Sequence, residues 1–526
     1  MPSADELPEG FLEYFRPLHE RFEPRRLALK AARGAALAAA HEGRLPGYLP
    51  PSGATEGAWK IVVPGWALDQ RNQITGPADN AKLFVSMCAT QDPGCMPDGE
   101  DSITTDWENV RAAQRNVVDA IAGRLAHGKA KADPASAQAM FYRPRGLHLD
   151  ETHVLPGVVS GSLFDLAVVF FQTSEQRRAA LSDPALQRKL GFYIPKTESA
   201  EEAAWFSEVL AALEASAGLP AGTTKVMFLI ESLPAAYQVE EILYEARRHI
   251  IGLNLGRWDY MASLLHFKLA DPLWILPDRN TIPHDVAFFQ NLRRRLVDVC
   301  HRRGALAIGG MTALFPDRKD PAVNDVAMAR LAADKKNEAA LGFDGAWTGH
   351  PDQHQGAISQ FPAPNQLAVR HPDFPRQPDL TPSPAGAGAV TAAGTRDAIR
   401  TLIEYRFGVL SGLGARMIKG YDRGGKLIGN FMEDLATDRI YRLMVAQRVR
   451  HAVVTDDGIR VTEALVASWF DLELAKILGE QTGADGAMAA RYQEASRWSQ
   501  QMIADVAKAP SPGPVTLTLE KNSKVA

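Results

Sequence analysis

Three cysteines in 526 residues are too few for a disulfide framework, and none of Cys88, Cys95 and Cys300 belongs to a CxxC pair. That scarcity fits a reducing compartment and small, buried thiols. Long apolar runs are missing too. No stretch of roughly 18 uncharged apolar residues occurs, so no membrane-spanning helix is expected. Charge of one sign is likewise lacking: 58 Lys and Arg face 62 Asp and Glu, a net charge of −4 with no basic footprint for nucleic acid. Met1-Pro-Ser-Ala-Asp-Glu6 is acidic rather than basic-then-apolar, and Asn522-Ser-Lys-Val-Ala526 is not the Ser-Lys-Leu peroxisomal address. A cytoplasmic protein with no membrane partner is the expectation. No GxGxxG or Walker A pattern stands between a strand and a helix, and no HExxH is found. Nucleotide-dependent phosphoryl transfer and zinc hydrolysis therefore have no positive support.

What is present is an ordinary globular composition, 46% hydrophobic and 23% charged. The length suits a barrel of about 250 residues with flanking helical parts. Phe11, Phe15, Leu18 and Phe22 recur at helical spacing, and an Ala-rich run follows to His41. Residues 9–45 are thus expected to be helical, broken near Pro17 and Pro24, and laid on the main domain. Ile61–Gly65 and Gln73–Pro77 read as short extended pieces. From about residue 80 to 350, short apolar runs alternate with amphipathic helices, the pattern of parallel strands joined by crossovers. The expected strands are Lys82–Met87, Ala139–Arg143, Phe192–Pro195, Val226–Ile230, Trp274–Leu276, Ala305–Ile308 and Gly345–Thr348, with helices at 200–216, 236–250 and 286–303 between them. The fold class expected is α/β, a closed (β/α)8 barrel. Seven prolines between Pro362 and Pro384, followed by an Ala-Gly run, mark a linker or long loop. Residues 396–520 read as mostly helical. The expected domains are an N-terminal clasp (1–78), the barrel (79–360), the linker (361–395) and a C-terminal helical domain (396–526).

Candidate chemistry collects at strand ends, where barrel active sites are built. Glu231 ends the apolar run Lys225–Ile230, and Asp259 lies 28 residues on, closing Gly252-Leu-Asn-Leu-Gly-Arg-Trp258. Two such carboxylates offer only oxygen, the preference of Mg²⁺; capping a helix or pairing with an arginine is the commoner use. Arg143, after another strand, could hold a carboxylate or stabilise an enolate, or simply form a structural ion pair. Asp98, Glu100 and Asp101 form an acidic cluster that supports a metal or lines a solvated loop. His148, His153 and His350 could serve as bases or as hydrogen-bonded structural histidines. Gly309-Gly-Met311 admits a close ligand or a tight turn, and Asp434 could be a plain helix N-cap.

Nine segments in order resemble the A-type malate synthase family. They are Phe22–Arg26, Leu68–Arg71 with Ile74–Pro77, Arg143–His148, Ser160–Asp165, Leu229–Glu231, Gly252–Tyr260, Cys300–Gly304 with Gly309–Met311, Asp344–Trp347 with His350-Pro351, and Met432–Asp434. The resemblance implies a TIM barrel with an N-terminal helical clasp and a C-terminal helical plug, condensing acetyl-CoA with glyoxylate and hydrolysing the thioester. It implies Mg²⁺ on Glu231 and Asp259, and catalysis by Arg143 and Asp434. It implies glyoxylate held by Arg143, Glu231, Asp259 and the Gly256-Arg257-Trp258 turn, an acetyl-CoA contact at Pro316, and Asp98, Glu100 and Asp101 as support around the metal. A related Mg²⁺-dependent acyl-CoA lyase, or a catalytically reduced paralogue that only binds, is the alternative. The chain departs from the family pattern at Pro97 and Gly99, which argue against a regular strand there. Other departures are Asp352, Leu435, Arg439 (an acid is usual) and the run Lys419–Phe431.

Overall fold

Eight short strands close into one parallel barrel in the computed structural model, which describes residues 7–421, 427–481 and 486–508. Met1–Glu6, the stretch 422–426 within the atypical run, residues 482–485 and residues 509–526 lie outside the described residues. The strands are β1 (Asn72–Pro77), β2 (Gly94–Asp98), β3 (Ala139–Tyr142), β4 (Gly191–Ile194), β5 (Val226–Ile230), β6 (Ile250–Leu255), β7 (Leu306–Met311) and β8 (Gly345–Thr348). Each pairs with its neighbours in chain order, and β8 closes on β1. Alternate residues fill the interior: Met96, Phe141, Tyr193, Met227, Ile251, Ile308 and Trp347 pack in one cluster. Gln73 satisfies that interior's polar atoms, accepting from Tyr193 at 3.1 Å and Trp347 at 2.9 Å.

Several expectations fail for identifiable reasons. Lys82–Met87 is not a strand but part of helix α2 (Ala81–Cys88), capped by Asn80, whose side chain accepts from the Leu83 N–H at 3.1 Å. Strand β2 runs through Pro97; its carbonyl still accepts from the Arg143 N–H, and Gly99 donates to Arg143 O. Trp274–Leu276 belongs to no strand, because Gln447 supplies its partners, donating to Trp274 O at 2.7 Å and accepting from Leu276 N at 3.1 Å. The expected helix 236–250 is two short helices, Leu233–Tyr237 and Val239–Ala246, that stop before β6. The first barrel strand, β1, falls inside the segment assigned to the clasp.

The N-terminal helix α1 (Phe11–His41) runs unbroken through Pro17 and Pro24. Each proline forfeits a backbone bond, but one face of the helix stays buried. Phe11 and Phe15 meet Phe164, and Phe22 meets Trp205, edge-on. Buried Arg26 holds Glu23 at 3.0 Å and donates to Leu147 O. The Pro-rich stretch 361–391 has no regular element, yet it packs on the barrel: Tyr260 donates to Leu380 O and Trp274 to Pro382 O.

Beyond it lie helices α4 (Ala392–Leu410), α5 (Leu435–Arg450), α6 (Glu463–Glu480) and α7 (Gly486–Lys508), α3 being Arg257–Phe267 in the barrel. This part is not all helical. A hairpin of β9 (Arg416–Tyr421) and β10 (Leu427–Glu433) pairs with Leu314–Phe315, just after β7. Leu314 opposite Phe431 stitches the C-terminal part to the barrel and delivers residue 434 to its rim.

Candidate active site

A cavity of about 670 Å³ opens at the C-terminal ends of the strands. The site residues implied by the family resemblance all line it except Glu100; of the other candidates, His350, Gly310 and Met311 line it and His148, His153 and Gly309 do not. Asp98, Asp101 and Arg143 come from the ends of β2 and β3, Glu231 from the end of β5, and Gly256 to Asp259 from the β6–α3 turn. Pro316 arrives after β7, and Asp434 from the C-terminal part. Register explains the pairings. Asp98, the last residue of β2, bridges to Arg143 just after β3, and Leu255 opposite Ile230 brings Gly256 beside Glu231. A Cβ on Gly256 would lie 2.5 Å from Glu231 Oε2, so the turn needs glycine for that approach.

Arg143 is held from two sides. Asp98 accepts from Nε and Nη2 at 2.5 Å each, and Asp101 accepts from Nη1 at 3.1 Å. Burial alone would lower its pKa, but Asp98 and Asp101 hold it well above the ordinary value. Three of its five N–H donors are engaged, which leaves two for a ligand.

Lys196, which the sequence reading missed, is the hub of the other acids. It follows β4 at a φ of 53°, a left-handed conformation that is uncommon outside glycine. Its Nζ lies 2.6 Å from Asp101, 3.0 Å from Asp259 and 3.7 Å from Glu231, while its backbone N–H donates to Glu231 Oε1 at 2.6 Å. Arg439, also missed as a site residue, reaches from α5 to Asp259 Oδ1 at 3.0 Å. A lysine directly after a predicted strand was the available signal for the first; the second stood out only as a departure from the family pattern, an arginine where an acid is usual.

Charge does not balance around this rim. Six carboxylates (Asp98, Glu100, Asp101, Glu231, Asp259, Asp434) face three cations, Arg143, Lys196 and Arg439. Three of the acids accordingly hold their protons more tightly. Burial, then the charge of Asp101 and Asp259, pushes Asp434 up to about 8. Burial with Asp259 and Asp101 pushes Glu231 up to about 7, and burial raises Glu100 well above the carboxylate range. Asp101 goes the other way, because Lys196 and Arg143 overcome its burial. A divalent cation fits such a surplus. Among the described residues no group of three or more His, Cys, Asp or Glu is arranged around one metal position. Glu231 and Asp259 are the two carboxylates that could hold such an ion, an oxygen-only pair of the kind Mg²⁺ accepts.

The other candidates sort themselves. Arg257 turns away from the cavity's acids, pairing with Asp334 at 2.8 Å and donating to Met311 O. Trp258 donates to Met311 O at 3.3 Å and carries the Arg279 guanidinium 4.5 Å above its ring. Arg279 in turn grips Glu433 at 2.9 and 3.0 Å, next to Asp434. Asp434 does cap α5, accepting from the Ala436 N–H at 3.0 Å, while lining the cavity. Burial drives His148 well below its usual pKa, His153 pairs with Glu151 at 2.6 Å, and His350 lies in the cavity wall.

Comparison with known proteins decides the family. The model described as malate synthase, TIM barrel domain, matches residues 139–373, and that described as malate synthase, C-terminal, matches residues 389–509. The chain belongs to the malate synthase family. It is 37% identical to the malate synthase of Streptomyces clavuligerus over 516 residues, covering 94% of this chain and 92% of the relative. It is 36% identical to that of Myxococcus xanthus over 94% and 90% of the two chains, and 35% identical to malate synthase A of Escherichia coli over 93% and 91%. Within this family frame the departures have visible uses. Asp352 pairs with Arg318 at the cavity mouth, and Arg439 sits against Asp259.

Proposed function

We propose that this chain condenses acetyl-CoA with glyoxylate and hydrolyses the thioester to malate and CoA in the cytoplasm, using Mg²⁺ on Glu231 and Asp259. The observation that carries the reading is the meeting, on one cavity, of a clamped arginine, two neighbouring carboxylates and a carboxylate from the C-terminal part. Bound there, Mg²⁺ supplies Lewis acidity toward the glyoxylate carbonyl. Asp434 removes a proton from the acetyl methyl, a very weak acid that needs a positioned base. The two unspent N–H donors of Arg143 take the charge that develops on the thioester oxygen. The enolate carbon bonds to the aldehyde carbon as the C=O π pair moves to oxygen, which takes up a proton; water then adds to the thioester carbonyl and the C–S bond breaks, CoA leaving as the thiol. Glyoxylate is held at Gly256 to Asp259, where the first turn of α3 has N–H groups without helical partners. Arg257 contributes its backbone there, since its side chain is committed to Asp334. Pro316, which lines the same cavity, would contact acetyl-CoA. Among the described residues no helix is long and apolar enough to cross a membrane.

Thiol release from acetyl-CoA in the presence of glyoxylate and Mg²⁺ tests the reading. Release that requires all three is expected. Cleavage of malyl-CoA without thiol release would assign a lyase instead, and neither activity would assign a binding protein.

A further inference from the structure

The cation that meets Asp259 from the C-terminal part has no place in the condensation chemistry. Arg439 Nη1 and Lys196 Nζ both lie 3.0 Å from the same oxygen, Asp259 Oδ1. The Arg439 side chain is only 8% exposed, so its charge is poorly screened. The two cations differ in origin. Lys196 belongs to the barrel and is also tied to Asp101 at 2.6 Å. Arg439 rides on α5, the helix whose N-cap is Asp434. The tie between Arg439 and Asp259 therefore joins the helix that carries the base to a carboxylate that holds the metal.

Resting on the reading that Glu231 and Asp259 hold Mg²⁺, we propose that Arg439 is a built-in competitor for that ion. Its guanidinium occupies Asp259 Oδ1 and places a positive charge beside the divalent site, so it weakens metal binding and links it to the seating of α5. Coupling is reciprocal: whatever the arginine costs the metal, the metal costs the arginine's hold on Asp259. An effect of about tenfold in affinity lies within the usual range of coupling between sites.

The test is direct binding of Mn²⁺, as a stand-in for Mg²⁺, to the full-length chain by electron paramagnetic resonance, with no substrate present. Arg439→Gln is expected to bind Mn²⁺ about tenfold more tightly than the wild type. Arg439→Met, of similar length and also uncharged, is expected to do the same and serves if the glutamine variant does not fold. Arg439→Lys keeps the charge and is expected to stay close to the wild-type value. Equal or weaker binding in the neutral variants would overturn the proposal, as would an equal gain in the lysine variant. Wild type binding Mn²⁺ no better than Glu231→Gln would overturn the metal reading itself, a result distinct from the other two.

Discussion

Replacing Asp434 by asparagine separates the two uses of that residue. As an N-cap it accepts one hydrogen bond, from the Ala436 N–H at 3.0 Å, and asparagine caps about as well as aspartate. The cap is therefore kept in Asp434→Asn, which should be at least as stable as the wild type and more stable at pH 8 because it has no raised carboxyl to ionise, whereas Asp434→Ala loses the cap, about 1 kcal/mol. As a base, however, the carboxylate cannot be replaced by an amide that accepts no proton. Positioned bases contribute about 10²–10⁴-fold, so kcat should fall by that factor in both variants. The wild-type pH profile adds a second handle. Burial and the neighbouring acids push Asp434 up to about 8, so near pH 7 only about one molecule in ten carries the ionised base in the metal-free protein. A divalent cation beside Asp259 lowers that value, so turnover should rise with pH between the ordinary carboxylate range of about 4 and pH 8. The assay is thiol release across pH for the three proteins, paired with thermal melts. Wild-type turnover in Asp434→Asn would refute the assignment and leave only the cap.

Arg143→Lys removes the fork that Asp98 grips through two donors, and should lower kcat at least about 100-fold while glyoxylate still binds, as calorimetry would report. Gly256→Ala puts a methyl 2.5 Å from Glu231 Oε2; the carboxylate must move, and the Mg²⁺ concentration giving half-maximal activity should rise about tenfold or more, with the melting temperature little changed. Burial and Glu433 raise Asp397 to about 6, so the folded chain holds a proton that the unfolded chain releases near pH 4. Its contribution to stability is thus lost as pH rises from about 4 to 6. Asp397→Asn should therefore raise the melting temperature at pH 8 and leave it unchanged below pH 4.

Much of this was legible because barrel chemistry is written at strand ends. Glu231, Asp259 and Arg143 each close an apolar run, and β5, β6 and β3 place them on one rim. The readings that failed were those in which local pattern and tertiary partner disagree. Leu83-Phe84-Val85 looks like strand material, but Asn80 caps it into a helix. Pro17 and Pro24 are helix breakers on propensity, yet the aromatic contacts of Phe11, Phe15 and Phe22 hold α1 together. Trp274–Leu276 satisfies its backbone with a glutamine from α5, a partner more than 170 residues away. The hairpin of β9 and β10 hid behind its glycines and its dependence on Leu314–Phe315. Lys196 escaped notice, and Arg439 was noted only as a departure from the family pattern, because a cation's value in a site depends on which acids the fold brings to it. The same holds for Arg279, whose bridge from Trp258 to Glu433 exists only in three dimensions.

The central claim is that this cavity joins acetyl-CoA to glyoxylate in a Mg²⁺-dependent reaction that ends in hydrolysis. The most direct measurement is the stoichiometry of products when purified protein is mixed with both substrates and Mg²⁺, with and without EDTA. The account predicts malate and free CoA in equal amounts and neither in EDTA. Accumulation of malyl-CoA, or thiol release undiminished by EDTA, would contradict it.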